Sequence, residues 1–300
     1  MFEGSPSGKS QRRAKWVLPI GILAISSASI LIKICEAPPL IIAAYRLALA
    51  SLLLSLPALP QILRGLRALT RAEFFLGLTA GGFLCAHFAL WITSLKYTSV
   101  ASSVVLVTTN PIFVALASIL FLGERLSPLL WLSVCTAVLG GIIIAWGDWS
   151  ADADALYGDL LALLGAVAMS GYLLVGRRIR QKMDLHVYIS SLYGIAGVFL
   201  ILIALLNGNS FFGYSPTTYL IFFLLAAIPQ MIGHTAVNWA LRFFTATLVA
   251  VVLLGEPLAA TFLAYLFLAE GVAPTLFVGG SLVLLGIYLC VREETRWGKL

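Results

Sequence analysis

The chain has 300 residues, 61% of them hydrophobic and 11% charged, against roughly 25% charged and 45–50% apolar in soluble domains. Its mean hydropathy is +1.01, which excludes a soluble domain and requires a polytopic membrane protein. The net charge of +6 would suit nucleic acid, but its distribution along the chain excludes that partner.

A membrane-spanning helix needs about 20 mostly apolar residues, and ten such runs follow one another. A basic tail, residues 1–15, precedes the first run, 16–34. No small-residue cleavage site follows it, so the run reads as a retained helix rather than a signal peptide. Further runs lie at 39–60, 72–95, 97–122 and 128–147. The acidic stretch 148–155, with Asp148, Asp152 and Asp154 and with Asp159 just beyond, separates them from 156–176, 187–207, 216–241, 243–269 and 273–291. Residues 292–300 form a second tail. With the N-terminus in the cytoplasm, Lys33 and Lys96 are the basic span-end residues that fall on the outer side, and the aspartates cluster there too. This positive-inside pattern places both termini in the cytoplasm and suits a bacterial cytoplasmic (inner) membrane. Cys35, Cys85, Cys135 and Cys290 form no CxxC pair and read as small core residues, with no disulfide and no metal implied.

The chain repeats itself. Residues 94–128, "SLKYTSVASSVVLVTTNPIFVALASILFLGERLSP", slide by 146 positions onto residues 240–274, "ALRFFTATLVAVVLLGEPLAATFLAYLFLAEGVAP". Lys96 then meets Arg242, Pro111 meets Pro257, Glu124 meets Glu270 and Pro128 meets Pro274. Each half, 16–147 and 156–291, holds five spans, and an odd number forces the second copy to cross the membrane in the opposite sense. The predicted fold is an all-α membrane protein of ten transmembrane helices, arranged as two inverted five-helix repeats around a central cavity. That architecture recurs in secondary transporters that work by alternating access.

The stretch "YTSVASSVVLVTTNPIFVALASILFLGERLSPLLWLSVCTAVLGGIIIAWG" resembles the span-four to span-five signature of the EamA family of the drug/metabolite transporter superfamily. "EPLAATFLAYLFLAEGVAPTLFVGGSLVLLGIYL" is similar to its spans nine and ten, with Ala269 before Glu270 where glycine is usual. The resemblance covers nearly the whole chain. It implies a cavity lined by spans one to four and six to nine, with spans five and ten outside it.

Within the spans the deeply placed ionisable residues are Arg46, His87, His234 and Glu256, and a charge at the bilayer centre costs about 2.5–3.5 kcal/mol on insertion scales. Glu256 falls near the bilayer midplane, and its repeat mate is Asn110. Pro111 and Pro257 follow these two residues, and each is expected to deprive a carbonyl one turn earlier of its amide partner. The two prolines are the candidate hinges. His87 and Trp91, and His234 and Asn238, are spaced four apart, so each pair shares a helix face in mated spans. All four are candidate cavity residues. Arg46 either snorkels outward or lines the cavity, as a recurrent arginine of the resembled family does, and there its planar fork would take an anionic group. Tyr172, with Tyr188, Tyr193, Trp239 and Tyr265, fits an interface anchor or an aromatic wall. Glu124 and Glu270 read as helix-end or gating residues. Gly77 and Gly81 mark close packing of span three.

The leading functional reading is a secondary active transporter of small organic metabolites, amino acids or related compounds, working as a proton-coupled exporter with Glu256 as the coupling group. The alternative is an uncoupled facilitator or exchanger of the sugar-phosphate or nucleotide-sugar type. An intramembrane enzyme is the third reading, and no HExxH, GxSxG or nucleotide-binding motif supports it. No cofactor or metal is expected. The expected partners are a small-molecule substrate, protons and the lipid bilayer, and the expected assembly is a monomer or weak homodimer.

Overall fold

The computed structural model describes residues 8–122, 126–146, 152–268 and 274–296; Glu124 and Glu270 lie outside them. Span one is α1 (Gly8–Lys33). Span two is α2 (Pro39–Ser55), a 3-10 turn over Leu56–Ala58, and α3 (Leu59–Arg67), the breaks falling at Pro57 and Pro60. Span three is α4 (Arg71–Ser94), started by a capping box between Thr70 and Glu73. Span four is split into α5 (Val100–Val107) and α6 (Asn110–Leu122), and α7 (Pro128–Ala145) is span five.

The second half repeats this plan with α8 (Ala153–Arg180) and α9 (Leu185–Leu206) as spans six and seven. Span eight runs from α10 (Pro216–Leu225) through a π-helical segment, Ala226–His234, into α11 (Thr235–Ala240). Span nine is split into α12 (Ala246–Leu253) and α13 (Glu256–Leu268), and α14 (Thr275–Arg296) is span ten. Among the described residues, nine helices are long and apolar enough to cross a membrane, and α7 is a shorter tenth.

The two halves pack as related by a pseudo-twofold axis. Span three lies on span six as span eight lies on span one, and span four touches span six as span nine touches span one. Spans two and seven, four and nine, and five and ten each pair with their own mates. Even the caps correspond: Ser99 accepts from the Ser102 amide at the start of span four, and Thr245 from the Leu248 amide at the start of span nine.

Spans five and ten cross backbone to backbone. A Cβ on Gly140 would stand 2.5 Å from the Gly279 carbonyl oxygen, and one on Gly286 would stand 2.5 Å from the Ala137 Cβ. Small residues let membrane helices approach closely where no hydrophobic driving force draws them together. Of the pair expected to pack span three, Gly81 does so, a Cβ there meeting the Ile195 Cβ at 2.9 Å, while Gly77 faces open space. Cys35, Cys85 and Cys290 are buried, but Cys135 is exposed, because α7 is peripheral and turns one face outward. Gly140→Val should force α7 and α14 apart at about 1–3 kcal/mol of overpacking cost, lowering the melting temperature of detergent-solubilised protein. Gly77→Ala should leave that temperature unchanged.

Candidate functional site

The site begins with two helix breaks. Proline was expected to fray a continuous helix, but each helix stops just before it. α5 ends at Val107 and α6 starts at Asn110; α12 ends at Leu253 and α13 starts at Glu256. Pro111 and Pro257 thus occupy the first turn of a new half-helix, where a missing amide proton costs nothing. In the first break Thr108 Oγ1 donates to the Val104 carbonyl at 2.7 Å and Thr109 Oγ1 to the Leu106 carbonyl at 2.7 Å. The N-terminal, electropositive ends of α6 and α13 are therefore placed inside the bundle.

Two serines that sequence reasoning passed over tie these breaks. Ser26 on α1 donates to the Ile22 carbonyl at 2.8 Å and reaches the Glu256 carbonyl at 3.3 Å. Ser170 on α8 donates to the Ala166 carbonyl at 2.8 Å and reaches the Asn110 carbonyl at 3.1 Å. The arrangement is the same in both halves. The available signal was a serine at the same depth in spans one and six.

Between the breaks lies a cavity lined by Ile25, His87, Trp91, Val107, Thr108, Asn110, Met169, His234, Leu253 and Glu256. Its volume, about 20 Å³, has room for about one water. Asn110 and Glu256 are buried, and the Asn110 Oδ1 has no hydrogen-bond partner. His87 Nδ1 lies 3.1 Å from the Gly165 carbonyl, which only accepts, so Nδ1 carries the proton. The His87 ring lies parallel to Trp91 with centroids 6.0 Å apart, and 6.5 Å from the His234 ring. His234 Nδ1 and Trp91 Nε1 are buried without partners.

Arg46 does not snorkel, and it stands behind the cavity wall at Trp91 rather than in it. It is 0% exposed, with its guanidinium carbon 4.3 Å from the Phe88 ring centroid and 5.9 Å from that of Trp91. Its Nε donates to Gln230 Oε1 at 2.9 Å, while Nη1 and Nη2 have no hydrogen-bond partner. It stands within electrostatic range of Glu256 and Tyr193.

Gln230, a third residue that sequence reasoning missed, is supplied by the π-helical segment. From the Thr70 cap to His87 is 17 residues along α4, whereas from the Ser215 cap to the mated His234 is 19. Wider turns absorb the surplus and keep the histidines matched, and such π-segments are frequent at functional sites. Pro229, inside the segment, was its sequence signal.

Asn238 and Tyr172 stand apart from the cavity wall, although they were grouped with it from the sequence. Tyr172 Oη donates to Asn238 Oδ1 at 2.7 Å, and Asn238 Nδ2 donates to the His234 carbonyl at 2.8 Å and to Tyr193 Oη at 3.2 Å. One turn of α11 carries Asn238 past the cavity into a locked polar layer. Tyr188 and Tyr193 are likewise buried, Trp239 is half-buried, and Tyr265 is exposed.

Among the described residues, side chains fasten the spans to one another at both faces. At the face where α1 ends, Lys33 Nζ donates to the Leu95 carbonyl at 3.2 Å and Lys96 Nζ to the Cys35 carbonyl at 3.4 Å. At the face where α8 ends, Gln181 Nε2 donates to the Leu241 and Arg242 carbonyls at 3.3 and 3.2 Å. There Arg180 Nε also donates to the Asn238 carbonyl at 3.0 Å, and Arg177 to the Phe244 carbonyl.

The sequence matches the EamA-like transporter family over residues 15–146 and again over 156–292. The chain belongs to that family. It is 27% identical over 288 residues to an uncharacterized transporter of Archaeoglobus fulgidus, covering 93% of this chain and 97% of that one. It is 35% identical over 135 residues to a riboflavin transporter of Brucella anthropi, a match spanning 45% of each chain. A crystal structure of 17% sequence identity superposes with a TM-score of 0.76, covering 95% of this chain and 99% of that one, and bears out the ten-helix fold. In this EamA-like protein, Ser26→Ala and Ser170→Ala should each lower stability by about 1 kcal/mol. The near-equal losses, read by thermal unfolding in detergent, would reflect the matched ties.

Proposed function

We propose that this member of the family moves a small organic metabolite by alternating access through the central cavity, and that Glu256 couples the movement to protons. The observation that carries the reading is Glu256 itself. It is a buried carboxyl at the start of a half-helix, in a cavity lined by buried residues, with Arg46 in electrostatic range and His87 and His234 on the same wall. A carboxylate in an occluded apolar cavity is costly when charged and is well solvated once the cavity opens to water. A carboxyl that holds its proton in one condition and releases it in the other links proton binding to access.

The substrates to test are amino acids and related compounds, with flux followed in both directions. The relative named a riboflavin transporter adds flavins to the panel, and the aromatic surface of His87, Phe88 and Trp91 would suit a flat ring. Both termini are assigned to the cytoplasm of a bacterial cell by the basic span ends. Cysteine labelling should then find the turn after α8, residues 181–184, inside and the acidic segment before α8 outside; both on one face would contradict the assignment.

Glu256→Gln keeps the shape and hydrogen bonds of the neutral acid but does not titrate. Reconstituted in liposomes, it should fold and exchange substrate yet lose accumulation driven by a proton gradient alone. Accumulation at the wild-type rate would place the coupling elsewhere.

A further inference from the structure

The obligate donors among the buried polar atoms left without partners gather around one residue. Arg46 Nη1 and Nη2, Gln230 Nε2 and Trp91 Nε1 are all buried and unpartnered, with Asn110 Oδ1 as an unpartnered acceptor in the adjoining wall. Leaving a buried donor unmet carries its full desolvation cost, and more when the group is charged. Such an excess of donors is complementary to a ligand rich in acceptors.

The geometry narrows the class. The guanidinium is fixed at Nε by Gln230 and lies against Phe88 and Trp91, which leaves the two Nη groups as a planar fork matched to the two oxygens of a carboxylate. The Trp91 ring, with the His87 imidazole stacked parallel to it at 6.0 Å, offers an aromatic face beside that fork. The half-helices starting at Asn110 and Glu256 add the electropositive ends of two helix dipoles, which favour an anion.

One cation then faces two carboxylates. Arg46 already stands in electrostatic range of Glu256, and two charged carboxylates beside one guanidinium would leave an uncompensated buried charge. The other titratable groups around it are His87 and His234 on the cavity wall, and Tyr193 and Tyr172 in the polar layer behind. His87 has its Nδ1 proton committed to the Gly165 carbonyl.

We infer that Arg46, which stands behind the Trp91 wall, is the anion-binding residue that the opened cavity uncovers, and that it alternates between the carboxylate of Glu256 and that of a flat, carboxylate-bearing substrate, which binds only as Glu256 becomes neutral. The inference rests on the proposed use of this cavity as the substrate path, and it adds the substrate class and the order of charges. Substrate binding is accompanied by net uptake of one proton from solution. Because the closed cavity has room for about one water, the ligand enters an opened form.

The test is calorimetric titration of detergent-solubilised protein near neutral pH with phenylacetate, indole-3-acetate and phenylpyruvate, each beside its uncharged amide, in buffers of different ionisation heat. At least one acid should bind about tenfold tighter than its amide and take up about one proton per ligand. Glu256→Gln should keep acid binding and lose the proton uptake. Arg46→Lys should bring the acid-to-amide ratio near unity. Trp91→Phe, which removes the Nε1 donor but keeps an aromatic ring, should weaken the acid several-fold more than the amide. Equal binding of acid and amide, no binding of any acid, or proton uptake that survives in Glu256→Gln would overturn the inference. Transport of riboflavin, which has no carboxylate, without any of these acids would overturn it and leave the transporter reading standing. Acid binding with proton uptake but no flux in liposomes would do the reverse.

Discussion

Inside a bilayer a backbone carbonyl has no water to turn to, so irregular backbone survives there only where protein atoms satisfy it or where it lines a cavity. That constraint governs this bundle. Spans four and nine are both broken at half-depth, and each break is tied by a serine from the span beside it, Ser170 at Asn110 and Ser26 at Glu256. Threonine hydroxyls at the first break turn back on the preceding helix. The interruptions are thereby held in fixed positions, and the residues at the starts of the new half-helices, Asn110 and Glu256, are presented to the interior.

The second demand is a fully buried guanidinium. Breaking a buried charge from its partners costs several kcal/mol, about 3–5 in measured cases, so the elements around Arg46 are constrained together. Gln230 from the π-helical segment holds Nε, Phe88 and Trp91 of α4 lie near the guanidinium, and Glu256 of α13 stands within electrostatic range. Spans two, three, eight and nine therefore meet at one cation. A desolvated cation–π contact adds about 2 kcal/mol, which makes Phe88 part of the electrostatics as well as of the packing.

Much of this was legible in the sequence, for physical reasons that differ from residue to residue. The spans and their inverted repetition follow from composition and a fixed 146-residue offset. Glu256, Asn110 and the histidines stood out because polar groups are rare at that depth. Ser26, Ser170 and Gln230 left only faint signals, because small hydroxyls are common in membrane helices and an amide in a span has many uses. Arg46 was undecided between snorkelling and the cavity, since one-dimensional depth does not say which way a helix is rotated; packing of α2 on α9 and the π-segment turned it inward. Asn238 was grouped with His234 by i,i+4 spacing, yet a single turn was enough to move it out of the wall.

The two closures are built from different side chains although the backbone beneath them is repeated. Lys33 and Lys96 fasten one face, and Arg177, Arg180 and Gln181 fasten the other. Were the halves identical, the forms open to each side would be related by the twofold axis, equal in energy and equally populated. Their unlike fastenings remove that degeneracy, and a ligand's apparent affinity scales with the fraction of molecules open to it. A solute meeting the same interior contacts from either compartment thus saturates the protein at two different concentrations, and the difference reports occupancy of the open forms rather than the strength of the contacts.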